Sequence, residues 1–215
     1  MQLSEALRLI REFWQEPQWP FWPAPDAAAH LARLQAEFSY PLPPWLTEYL
    51  LQAAPSAPYT SLATVGNPIE LYGASRLGYA QDGYNFNSVT REVLPDWPDH
   101  WFMLGDEGAD PVIVDLDGVG AVVQLEHGAG DWETGAEMAA SIGQFLLCAA
   151  ARQHALRYFG DEATTDDERG FQLAPAPAAW LFPRLREWAG PYYREWTLGL
   201  DNADEGQPLR KPYIP

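Results

Sequence analysis

Residues 101–125 read WFMLGDEGADPVIVDLDGVGAVVQL, and this stretch decides the fold. Trp101, Phe102, Met103 and Leu104 make an apolar run of strand length, and the acidic stretch 105–110 that follows reads as a tight turn. Two β-branched runs come next, 111–115 and 121–125, separated by Asp117-Gly118 and Gly120, residue types that accept the backbone of a hairpin loop. The spacing therefore predicts a strand followed by a β-hairpin.

Downstream, Thr134 with Glu137 three residues later has the form of a capping box at the head of a helix. Its inward face would be Met138, Ile142, Phe145, Leu146, Ala149, Leu156 and Phe159, lying on one face of the sheet, with Gly160 as terminator. Cys148, the single cysteine, falls within this apolar segment and reads as a small buried hydrophobe, so neither a disulfide nor a cysteine-based zinc site is expected.

Upstream, Leu3, Ala6, Leu7, Ile10 and Trp14 recur at helical spacing with Ser4 as a cap. Pro17, Pro20, Pro23 and Pro25 then enforce an extended arm carrying Trp19, Phe21 and Trp22, aromatics expected to pack on the domain. Asp26 is placed to cap a second helix with Ala27, Leu31, Leu34 and Phe38 on one face, and Pro43-Pro44 to open a third with Leu46, Tyr49 and Leu50. Residues 61–73 look β-like around Gly66-Asn67-Pro68, and 78–90 suit an ordered loop or short edge element. Beyond 160, an acidic surface loop over 161–170 precedes a helix interrupted or started near Pro183, a last helical segment from Pro191, and a frayed tail from Asn202.

Together these elements predict an α+β fold with a mostly antiparallel sheet flanked by helices, organised as an N-terminal helix and arm (1–25), a core (26–160) and a C-terminal helical extension (161–215). The start of the chain lacks a basic, apolar leader, and the longest apolar run, 138–151, is too short to span a bilayer, so a cytoplasmic protein is expected.

The net charge of -17 is unevenly spread. Residues 92–151 hold twelve acids and no lysine or arginine. A surface of that kind repels nucleic acid and anionic lipid and attracts basic proteins. Asp106, Glu107, Asp110, Asp117, Asp131 and Glu133, with Trp132 as an aromatic anchor, are the candidate partner-binding residues.

Catalytic and metal motifs are weak. Asp115, Asp117, Gly120 and Glu126 match four positions of a calcium-binding loop, but Val119 replaces an oxygen ligand and the flanks are strand-like where helices are needed. His127 lies beside an acidic loop with no nucleophile tied to it, and no phosphate-binding or dinucleotide glycine fingerprint is present. No catalytic residue, metal or cofactor is expected, a metal-dependent hydrolase built on the acidic hairpin being the remote alternative.

The order Trp97, Trp101, Phe102, Gly105, Gly108, Asp110, Pro111, then Val112-Ile113-Val114-Asp115, Gly120, Val122 and the start of the helix after Ser141 resembles the SUKH superfamily, as does Leu42-Pro43-Pro44-Trp45 upstream. The resemblance covers about residues 27–150. Gly108-Ala109-Asp110 stands where the family pattern often has Gly-Gly-Asp, an exchange that changes backbone demands little so long as Ala109 keeps a negative φ. Ala53-Ala54-Pro55 stands where the family often has Asn-Gly. The superfamily contains yeast cell-wall-synthesis regulators and bacterial immunity proteins. The resemblance implies binding without catalysis, either neutralisation of a secreted or polymorphic toxin or a regulatory scaffold role, and the charge segregation points to a basic toxin such as a nuclease or deaminase domain.

Overall fold

The structure is a computed structural model that describes residues 1–16, 18–57, 59–78, 83–128, 132, 135–160 and 162–204. Along the chain its first strands are β1 (Tyr59–Leu62), β2 (Ile69–Tyr72), and the short β3 (Phe86–Asn87) and β4 (Glu92–Val93). Then come β5 (Trp101–Glu107), β6 (Asp110–Asp115), β7 (Val122–Leu125) and β8 (Gly135–Ala139). Six of them form one antiparallel sheet in the order β1-β2-β5-β6-β7-β8, while β3 and β4 pair only with each other. The fold is α+β.

The hairpin of β6 and β7 forms where the β-branched runs placed it, with Val112 opposite Gln124 and Val114 opposite Val122. Alternation sends Ile113 to the other face, opposite Met103 and Val123. Val112, Ile113 and Val114 are all buried, because the sheet is covered on both faces there.

The stretch 105–110 is not an acidic turn. β5 continues through Asp106 and Glu107, β6 begins at Asp110, and only Gly108 and Ala109 lie between them. Both have positive φ, 61° and 83°, as a two-residue type I′ hairpin demands. Ala109 therefore does not keep a negative φ. Gly105 sits at a bulge after Met103, and a Cβ there would meet the Glu70 carbonyl oxygen at 2.0 Å, so only glycine lets β2 and β5 approach.

The helix expected from Thr134 begins later. Glu137 lies in β8, Thr134 falls outside the described residues, and α4 (Ile142–Arg157) starts after Ser141, whose side chain accepts from the Gln144 amide at 3.2 Å. Gln144 Oε1 accepts from Ala140 N in return, at 2.8 Å. Nor does α4 cover the sheet with one face only. Nearly every residue from Ile142 to Ala155 is buried, because α1 (Leu3–Phe13) and α5 (Pro175–Ala189) pack against it as well as strands β1 and β8.

Several other ends differ from expectation. Ser4 lies inside α1, whose N-cap is Gln2 without a side-chain bond. Asp26 occupies the N-cap position of α2 (Ala27–Glu37), but its carboxylate sits 3.1 Å from His30 Nε2 and makes no capping bond. Pro44 does open α3 (Pro44–Gln52). In the proline arm Phe21 is buried against Trp14 and Trp19, whereas Trp22 is exposed.

The acidic stretch after 160 is a hairpin, β9 (Thr164–Asp167) paired with β10 (Gly170–Leu173). Charged side chains disguise it. α5 starts at Pro175 and runs through Pro183, and a 3₁₀ turn (Gly190–Tyr192) leads into α6 (Tyr193–Thr197). Asn202 is not frayed: its side chain is buried, donates to Leu173 O at 2.8 Å and accepts from Leu173 N at 3.2 Å. One contiguous hydrophobic cluster runs from Leu3 to Ala203, so residues of both terminal segments belong to it. No helix among the described residues is long and apolar enough to cross a membrane.

Candidate functional site

The tight turn between β5 and β6 brings Glu107 and Asp110 into register opposite each other, and the end of β7 places Gln124 and Glu126 alongside. Val65, Gly66 and Asn67 from the loop after β1 and Glu195, Leu198 and Gly199 from the C-terminal segment complete the lining, and the two segments meet where Val65 packs against Gly199. Between them lies a cleft of about 470 Å³. Four carboxylates line it: Glu107, Asp110, Glu126 and Glu195.

Arg152 is the sole cation of this lining, contributed by α4. It is 5% exposed, and its Nε is buried with no hydrogen-bond partner. Burial pushes its pKa below the usual arginine value, and the Glu107 charge works in the opposite sense. Glu107 nevertheless binds other groups: Thr64 Oγ1 donates to one oxygen at 3.0 Å and Gln124 Nε2 to the other at 3.2 Å. A buried charge left without a direct partner costs several kcal/mol as an order of magnitude. Leu198, at the rim, is 64% exposed.

Comparison of the chain with protein-family models, curated proteins and solved structures found no match.

The candidate binding residues separate into groups. Asp106 alternates to the sheet face opposite Glu107 and accepts from the Tyr72 hydroxyl at 2.8 Å. Burial, aided by Asp106 and Asp110, pushes the neighbouring Tyr84 phenol up to about 12. Asp117 lies in the loop beyond the far end of β6, where it accepts from the Tyr40 hydroxyl, so it does not share a patch with Asp110. Trp132 is half-buried, with its ring 5.4 Å from Trp97 and 5.9 Å from Tyr84, a packed position and not a free anchor. Asp131 and Glu133 fall outside the described residues.

Two chemical candidates can be placed. Asp115 and Asp117 do converge with His100, with potential ligand atoms within 4.8 Å of one another. Glu126, the twelfth position of the calcium-loop pattern, is at the other end of the hairpin, because the next residue, His127, donates its backbone N–H to Asp110. His127 Nδ1 also lies 2.6 Å from Asp110 Oδ1, the relation in which a carboxylate orients a catalytic imidazole. Among the described residues no hydrogen bond joins its ring to a hydroxyl or thiol nucleophile.

Sequence reasoning missed Arg152, Glu195 and Leu198. Arg152 carried a legible signal, since a single arginine breaks the otherwise uncharged stretch from 138 to 156. Glu195 and Leu198 are brought to the cleft only by the return of the C-terminal segment, which local pattern does not encode.

Proposed function

We propose that this chain is a non-catalytic protein-binding domain of the SUKH type, an immunity protein that neutralises a basic toxin domain by docking it at the acid-lined end of the sheet. What supports this reading is the gathering of Glu107, Asp110, Glu126 and Glu195 around one cleft beside the exposed Leu198. Clustered carboxylates speed encounter with a basic partner and select against acidic ones, and an apolar residue among them offers contact area once the partner is seated. The twelve acids between 92 and 151, with no lysine or arginine among them, make this part of the chain strongly negative as a whole.

The experiment is co-expression with the product of the neighbouring open reading frame. A neighbour that is toxic alone, harmless with this chain and recovered in a stable complex fits the proposal. The triple variant Asp110→Lys, Glu126→Lys and Glu195→Lys should then associate at least ~10-fold more slowly at low salt. A harmless neighbour that forms no complex would sink the immunity reading, and a stable complex with a harmless partner would assign a scaffold role instead.

A further inference from the structure

A purely basic partner has no use for the positive charge at Arg152. That side chain lines the cleft from the buried helix α4, is only 5% exposed, and has an Nε without a hydrogen-bond partner among the described residues. The Glu107 charge acts on Arg152, but no ion pair or hydrogen bond joins the two among the described residues, and Glu107 accepts instead from Thr64 and Gln124. A guanidinium is a planar fork of donors that matches a carboxylate better than any other common group.

The surroundings narrow the ligand. A simple anion would meet four carboxylates in this lining, and a simple cation would meet Arg152. A molecule that carries a carboxylate together with amines or a guanidinium satisfies both. The apolar members of the lining, Val65, Leu125, Ala136 and Met138, suit a methylene stem between the charged ends. The volume of about 470 Å³ is in the range of small-molecule sites.

We infer that the cleft binds a basic α-amino acid group, its carboxylate on Arg152 and its cationic groups among Glu107, Asp110, Glu126 and Glu195, supplied either as the free amino acid or as the last residue of a peptide. The excess of acids over the one arginine in the lining favours a ligand whose carboxylate is accompanied by cationic groups, two in free lysine or arginine and the side chain alone when such a residue ends a peptide.

The test is calorimetric titration of the full chain with L-lysine and L-arginine, with their decarboxylated counterparts cadaverine and agmatine, and with Nα-acetyl-lysine. Saturable binding of the amino acids is expected, with the decarboxylated amines at least ~10-fold weaker. Arg152→Gln should lower lysine to the level of cadaverine. Binding kept by Nα-acetyl-lysine assigns the end of a peptide, and its loss assigns the free amino acid. Equal affinity for lysine and cadaverine, or no saturable heat from either amino acid, overturns the inference. Should Arg152→Gln fail to fold by circular dichroism, the rim pair Glu126→Gln and Glu195→Gln must weaken lysine at least ~10-fold, and unchanged affinity there overturns it equally. No protein partner enters this titration, so its failure leaves the docking proposal standing and is told apart from failure of that proposal.

Discussion

Replacing Ala109 with glycine should stabilise this protein, although it removes a side chain. Ala109 is held at φ 83° in the two-residue turn, with its carbonyl accepting from the Tyr84 hydroxyl, so the backbone there is fixed from both sides. An L-residue in the left-handed region costs ~1–2 kcal/mol, a strain glycine does not feel. Against this, glycine frees the unfolded chain by ~0.4–1 kcal/mol. The methyl group is exposed and takes no packing with it. The net gain is about 0.5–1 kcal/mol.

The adjacent exchange, Gly108→Ala, should act in the opposite direction and more strongly. It would meet the same strain at φ 61° and would set a Cβ 2.1 Å from Asn67 Nδ2 and 2.7 Å from Asn67 Cγ. A loss of ~1–3 kcal/mol follows. Urea unfolding at pH 7, read by tryptophan fluorescence, measures both. With a slope of roughly 2–3 kcal/mol/M for a chain of this size, Ala109→Gly should raise the midpoint by about 0.3 M at unchanged slope. A lowered midpoint for Ala109→Gly, or an unchanged one for Gly108→Ala, would refute the type I′ geometry at this hairpin.

Two further outcomes are expected. His154 is boxed by Phe13, Tyr158, Phe159 and Trp180, its ring centroid 4.4 Å from that of Trp180, and burial followed by the Arg184 charge lowers its pKa below the ordinary 6.5. The unfolded chain therefore takes up this proton first as pH falls, so the stability is present above pH 6.5 and is lost progressively below it. Thermal melts between pH 7 and 5.5 should show a steeper loss for the native chain than for His154→Leu, and parallel slopes would refute it. Asn202→Ala should cost ~1–3 kcal/mol in urea unfolding by stripping both Leu173 backbone groups of their partner, whereas an effect within error would mean that the C-terminal turn is not anchored there.

Much of the sheet was legible because its strands announce themselves chemically. Val112, Ile113 and Val114 facing Val122 and Val123 across a glycine-rich loop leave little alternative to a hairpin. β8 was not legible, since Gly135, Ala136, Glu137, Met138 and Ala139 contain no β-branched residue and read as the approach to a helix. Ser141 with Gln144 three residues on has the same capping-box form in the sequence as Thr134 with Glu137 and is the one that caps the helix. β9 escaped because Asp166, Asp167 and Glu168 look like solvated loop, while the pairing of Phe171 with Asp166 and Leu173 with Thr164 is a tertiary fact. For the candidate site, charge segregation named two of the four carboxylates that line the cleft, Glu107 and Asp110. It could not separate Asp117 from Asp110, because a six-residue strand lies between them and charge counts carry no direction.

The bulge in β8 has a consequence for how copies of this molecule meet. Met138 is the extra residue between the pairs Val123 with Glu137 and Val122 with Ala139, and its carbonyl is taken by the Trp196 indole at 2.7 Å. Tyr192 reaches the adjacent Glu137 carboxylate at 2.8 Å. An outermost strand with its polar groups bare is a template on which a second chain can add, and repeated addition is the beginning of a fibre. Here the last helical turns stand guard over that template, so the segment after Ala189 obstructs the addition of a further strand at the β8 edge.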